Sequence, residues 1–223
     1  KDEKYVTALA PHLRAWFIDE ATKMNPNLLY AQAIKGRVTG RGIGIIDTIQ
    51  LLEVAKAIES VEDSEVISDS EIKQMKDWFS EYLNWITTHP YGIDERDHGN
   101  NHSVCWAMQT AVFAQLVGNQ EVLDYCENMY KTVLLPDQMA DDGSFPLELK
   151  RTKPYGYSLF TLDAMATLCQ VYADDSENLF SYQTADGKSL KKGISFLYPF
   201  VENKDYWPYQ KDVMYWDKWP VRH

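Results

Sequence analysis

Three groups of residues in this chain carry side chains suited to chemistry. Asn100-Asn101-His102-Ser103 sets two amides and an imidazole at the start of an apolar, helix-forming run. Asn and Ser there cap a helix, and the backbone N–H groups of that first turn favour an anion, so capping accounts for Asn100 or Ser103 while the whole quartet makes a cradle for a carboxylate. Asp141-Asp142-Gly143-Ser144-Phe145-Pro146-Leu147-Glu148-Leu149-Lys150-Arg151 runs on to Pro154-Tyr155-Gly156-Tyr157. Asp-Gly marks a turn, and Arg151 and Tyr157 flank one long loop that enters a helix.

The third group is weaker. His98 and His102 are four apart, one face of a helix, but Gly99-Asn100-Asn101 between them is a poor helix interior and lacks the glutamate of a zinc-protease motif, so no metal is expected. Gly36, Gly40, Gly42 and Gly44 match neither phosphate-loop spacing, and no strand precedes them. They read as a backbone turn, with Arg37 and Arg41 placed to face an anionic ligand. Asp141 or Asp142 with Asp94 or Glu95 supplies the paired carboxylates of a glycoside hydrolase, one function class; a non-catalytic binding domain is another.

The elements that must hold these residues are helices. Ala8 to Ala21 carries an i, i+3/i+4 apolar stripe ending before Met24-Asn25-Pro26, and Ile43 to Ile58 repeats the pattern. Ser68 with Glu71 forms a capping box ahead of Ile72, Met75, Phe79, Leu83 and Ile86, and His89-Pro90 ends that helix. Val104 to Val117 is closed by Gly118, Asn119 caps a partner running to about Leu135, and 157–172 and 190–200 supply the last two. No stretch alternates with period two between turn signals, so the class is all-α, built of antiparallel helix pairs. Three long connections, 25–42, 89–101 and 136–155, are where function is expected.

The 223 residues are enough for one substantial domain, and their 45% apolar and 25% charged content is that of a folded chain. A net charge of −11 without a Lys/Arg cluster argues against nucleic acid and anionic membrane as partners. No apolar run approaches the roughly 20 residues that span a bilayer, so no membrane insertion is expected. Cys105, Cys126 and Cys169 are too few and too far apart for a zinc knuckle or a redox pair. Aromatic residues at 13% are in excess; Trp207, Tyr209, Tyr215, Trp216 and Trp219 suit either core packing or stacking on sugars.

The Asn100-Asn101-His102-Ser103 and Asp142-Gly143-Ser144-Phe145-Pro146-Leu147-Glu148-Leu149-x-Arg151 blocks, with Tyr157 and Leu159-Phe160 behind them and Met24-Asn25-Pro26-Asn27-Leu28 and Tyr30-Ala31-Gln32-Ala33 ahead, resemble the alginate lyase superfamily of polysaccharide lyases, families five and thirty-eight. The resemblance runs from about Trp16 to about Tyr172. It implies an incomplete (α/α) toroid, one alginate-lyase-like domain over 1–223 lacking N-terminal helices that family members carry, a periplasmic or secreted location, no cofactor, and an anionic polysaccharide as partner. By the same resemblance the catalytic set is Asn101, His102, Arg151 and Tyr157. Family five spaces its arginine and tyrosine one residue further apart, which favours the family-thirty-eight type and leaves Tyr155 as the competing tyrosine. Arg37, Arg41, Asn100, Lys150, Tyr155 and Trp207 are the expected substrate contacts.

The reaction so implied is β-elimination from a 4-O-linked uronate, either mannuronan/alginate or glucuronan. Removing H5, α to a carboxylate, builds negative charge that the carboxylate itself opposes, so preorganised donors must neutralise it. Asn101 is the expected donor, helped by His102 or Arg151. In mannuronate and glucuronate H5 and O4 share a face, so one residue can be base and then acid: Tyr157 in the first instance, with His102 as the competing base.

Overall fold

A computed structural model describes residues 2–173 and 178–218 of the chain; Trp219, one of the aromatic residues considered for sugar stacking, lies outside them. The class is all-α. Among the described residues there is no β-strand, only isolated bridges at Ile34–Val38 and Gln183–Ser189. The chain divides into two compact units, residues 1–95 with 112–123, and residues 96–111 with 124–223.

The first unit is built on three helices, α1 (Glu3–Phe17), α2 (Leu51–Val61) and α3 (Asp69–Thr88). Each buries the stripe its spacing prescribes: Val6, Ala10, Leu13 and Phe17 from α1, Ala55 and Ile58 from α2, Met75, Phe79, Tyr82 and Ile86 from α3. Phe17 meets the Trp78 and Phe79 rings at 4.9 and 5.3 Å, and Phe79 and Tyr82 both close on Phe113. The Ser68–Glu71 capping box is present.

Two expected elements end differently. α1 stops at Phe17, not near Met24, because the chain folds back so that the Met24 N–H reaches the Trp16 carbonyl and the Trp78 indole N–H donates to the Met24 carbonyl at 2.7 Å. The helix expected over 43–58 is split. Its first part is a 3-10 segment, Gly42–Thr48, whose glycines sit where no side chain fits: a Cβ on Gly44 would press on Ala31, and one on Gly42 on Asp94. The glycines therefore serve close packing, as a turn rather than a phosphate loop.

The second unit is organised around the N-terminal part of α5 (Asn101–Val117), where every residue from Asn101 to Ala111 is buried. A helix that is apolar all round belongs in the interior, and its polar members are satisfied locally: Gln109 donates to the Cys105 carbonyl and Thr110 to that of Trp106. The chain continues through α6 (Gln120–Met129), a π-helical turn at Tyr130–Leu134, α7 (Leu135–Gln138), α8 (Pro146–Leu149), α9 (Pro154–Val171) and α10 (Leu190–Glu202). Gly193 lets α10 close on α9, since a Cβ there would lie 2.9 Å from Leu162 Cδ1.

Short helices occupy two of the connections read as loops. α4 (Pro90–Arg96) and α8 both begin at proline, whose fixed φ and missing N–H suit the first helical position. None of the three cysteines forms a disulfide.

Candidate active site

Three of the four residues expected to act together, Asn101, Arg151 and Tyr157, meet in the second unit. Asn101 opens α5 with only 1% of its surface exposed, and its backbone N–H donates to Glu148 Oε1 at 2.8 Å. Glu148 lies on the single turn of α8 and is 1% exposed. Three residues on, Arg151 donates from Nη1 to Asn101 Oδ1 at 3.2 Å and to Glu148 Oε2 at 3.3 Å. Its guanidinium carbon stands 3.9 Å from the centroid of the Tyr157 ring, on the first turns of α9. One half-buried guanidinium therefore touches an amide, a carboxylate and a phenol ring.

Two chemical consequences follow. A guanidinium only donates hydrogen bonds, so the Asn101 amide must turn its oxygen toward Arg151, which leaves its NH₂ group as the donor end of the amide. Burial pushes the Glu148 carboxyl above its ordinary value, while the Asn101 N–H, Arg151 and the field of His102 pull it back. The Glu148 charge is thus held in a buried, donor-rich place.

His102 follows Asn101 at 8% exposure, its ring centroid 4.8 Å from that of His98. Asn100 is the capping residue: its Oδ1 accepts the His102 N–H at 3.0 Å. Ser103 Oγ receives the Gly99 N–H at 2.7 Å, where Gly99 takes φ 83°. Among the described residues, no three His, Cys, Asp or Glu side chains converge as a metal would require.

The other expected contacts fare differently. Tyr155, the rival of Tyr157, is 1% exposed, donates its hydroxyl to the Phe200 carbonyl at 3.2 Å, and packs against the Trp207 and Trp216 rings at 5.1 and 5.7 Å. Its phenol is turned into the protein rather than toward Arg151. Trp207 is a core residue as well, buried with its indole N–H on the Gln210 carbonyl. Lys150 is exposed beside Arg151. In the first unit Arg37 is exposed, whereas Arg41 is tied down, donating to the Gln32 carbonyl and to Gln32 Oε1, both at 3.0 Å. Arg41 holds the backbone where Gln32 takes φ 48°.

Of the carboxylates weighed for hydrolysis, Asp142 is bonded by the Ser144 hydroxyl and N–H, which hold it below its ordinary value. That is the wrong direction for a general acid. Asp141 and Asp94 are exposed, and Glu95 is buried.

Glu148 is the site residue that sequence reasoning quoted without a role. Its signal was available: a proline-started turn with Glu and Arg at i and i+3 puts both side chains on one face.

Comparison with known proteins gives a consistent result. The alginate lyase family profile matches residues 1–207. A solved alginate lyase from Bacteroides ovatus is 33% identical, with a TM-score of 0.90, over 97% of this chain and 57% of that one. Alginate lyase A1-III from Sphingomonas species A1 matches at 18% identity and TM-score 0.68, over 92% and 54%. A histidine-to-alanine variant of A1-III, complexed with a tetrasaccharide, matches at 16% and 0.71, over 96% and 59%. Curated proteins yield no significant match. The chain thus spans a little over half the length of these solved relatives and has their fold, as its motifs implied. With a family match over nearly all of its residues and a third of its sequence shared with a solved member, the chain belongs to the alginate lyase family.

Proposed function

We propose that the protein is a polysaccharide lyase that cleaves 4-O-linked uronic acid polymers, mannuronan/alginate or glucuronan, by β-elimination. The observation that carries the reading is the shared guanidinium: Arg151 holds the Asn101 amide by its oxygen, which leaves the NH₂ end as a donor, and stands over the Tyr157 ring. A uronate carboxylate bound to that amide has its charge met by preorganised donors as the enolate-like transition state forms. Glu148 holds both partners in place.

In this mechanism the Tyr157 hydroxyl oxygen is the base that takes H5, and the electron pair of the C5–H bond flows into the carboxylate-stabilised carbanion. That pair then forms the C4–C5 double bond as the C4–O4 bond breaks, and the phenol returns its proton to O4. Water is not consumed, and the tyrosine ends as it began. A same-face arrangement of H5 and O4 lets one residue do both, which favours mannuronate and glucuronate over guluronate. His102, adjacent to Asn101, is the second base available to a substrate whose H5 lies on the opposite face.

The test is a panel of polymannuronate, polyguluronate and glucuronan. Appearance of an ultraviolet-absorbing unsaturated product with polymannuronate or glucuronan is expected. Reducing ends without that chromophore would point instead to hydrolysis, and binding without turnover to a uronan-binding domain.

A further inference from the structure

The helix that carries Tyr157 is anchored from far along the chain. α9 has lysine, not a capping side chain, at the position before its first residue, and Pro154 contributes no N–H. Its first two N–H groups, those of Tyr155 and Gly156, are instead taken by a single carboxylate: Asp212 accepts from Tyr155 at 2.9 Å through Oδ1 and from Gly156 at 2.9 Å through Oδ2. The segment carrying it is pinned beside the same loop, the Val213 N–H donating to the Thr152 carbonyl at 3.0 Å. Position 156 is matched to this grip, because a Cβ there would lie 2.9 Å from Asp212 Oδ2. A carboxylate is the right group for a helix N-terminus, where unpaired N–H groups and the positive end of the dipole coincide.

Tyr157 is the next residue after the two that Asp212 holds. We propose that Asp212 is a positioning residue for Tyr157: by fixing the first turn of α9 from outside the helix it sets where the phenol stands relative to Arg151. The inference rests on the role given to Tyr157 above. Asp212 touches neither Arg151 nor the reacting atoms in this scheme, so its removal changes the rate at which bound substrate reacts and not the binding of substrate.

The experiment is a kinetic cycle on the full chain with the preferred uronan. Loss of a helix N-cap converts to roughly a 3- to 30-fold change in a conformational equilibrium, and Asp212→Ala is expected to lower kcat by that factor with KM within about twofold of the wild type. Asp212→Asn, which keeps one acceptor oxygen and the same size, should show a smaller kcat loss and serves if the alanine variant does not fold. Asp205→Asn, removing an equal charge from the same segment, should leave kcat unchanged. In a Tyr157→Phe background Asp212→Ala should lower the residual turnover no further, since it acts through the phenol. Wild-type kcat in folded Asp212→Ala and Asp212→Asn would overturn the inference, and so would a loss confined to KM or losses that multiply in the double variant. Full turnover in Tyr157→Phe alone would remove the tyrosine assignment itself, and the inference with it.

Discussion

Arg14 and Glu71 meet in the unit built on α1–α3, Arg151 and Glu148 in the unit built on α5, α8 and α9, and the two carboxyls are shifted in opposite directions. Glu71 lies at the surface within a capping box: its carboxylate accepts the Arg14 Nε–H at 2.5 Å and the Ser68 N–H at 2.8 Å, which lower its pKa to about 2. Arg14 also donates to the Val66 carbonyl at 3.0 Å, so the pair ties α1 to the start of α3 and to the chain just before it. Glu148 is buried, its bond to Arg151 is longer at 3.3 Å, and burial drives its pKa up. Its guanidinium partner is divided among three groups and saturates none. The difference teaches that an ion pair is read from what else its members touch: a satisfied pair is architecture, whereas a buried, shared pair keeps donors in reserve.

The comparison is broken most forcefully at the reacting end of the second cluster. Tyr157→Phe is expected to lower kcat by about 10²–10⁴ while KM barely moves, as for loss of a general acid–base group. Asn101→Ala should lower kcat by about 10² or more, because its donor strengthens as charge develops. Near wild-type rates in either variant, measured by unsaturated product, would show that the cluster is structural like its counterpart. Glu148→Gln, which removes charge but little volume, is expected to cost up to about 10² in kcat by loosening both Asn101 and Arg151; an unaffected rate would separate Glu148 from the chemistry.

The two pairs also differ in the sign of their pH dependence. A carboxylate whose folded pKa is lowered contributes stability that is present above its ordinary value near 4.5 and is lost as pH falls toward about 2. The thermal penalty of Glu71→Gln should therefore shrink below about pH 4.5. For Glu148 the folded pKa is raised, so the native state holds the proton more tightly, and stability falls as pH rises from the ordinary value through the folded one. Relative to wild type, Glu148→Gln should look worse as pH falls. Parallel melting curves of the two variants between about pH 3 and 7 test this, and trends of the same sign would undo the contrast.

The smallest effects belong to the residues excluded from chemistry. Tyr155→Phe leaves the Phe200 carbonyl without its buried donor and should cost about 1–3 kcal/mol of stability, with kcat within about twofold. A dead but folded Tyr155→Phe beside an active Tyr157→Phe would reverse the two tyrosines. Chelation with EDTA should leave turnover unchanged, and loss restored by zinc or calcium would contradict neutralisation by Asn101.

What the sequence made legible was local. The Ser68–Glu71 box, the proline at position 90 and Gly118 announce helix ends through the backbone, and Asn101, His102, Arg151 and Tyr157 stood out by type and spacing. What it hid was tertiary. Burial of Glu148 depends on α8 docking beside the start of α5, and the Asp212 grip on α9 joins residues 56 and 57 apart, with no local pattern to betray it. The splitting of 43–58 turns on glycines pressed against Ala31 and Asp94. Tyr155 and Tyr157 are two residues apart and alike in type; only packing separates a phenol bonded to Phe200 from one facing Arg151.

Cleavage of polymannuronate or glucuronan in heavy-oxygen water, with the product analysed by mass spectrometry, tests the central claim most directly. Elimination predicts a new non-reducing end that is unsaturated and short of one water, with no heavy oxygen incorporated by bond cleavage. A saturated product carrying one heavy oxygen per cleaved bond would mean hydrolysis, and would contradict the account.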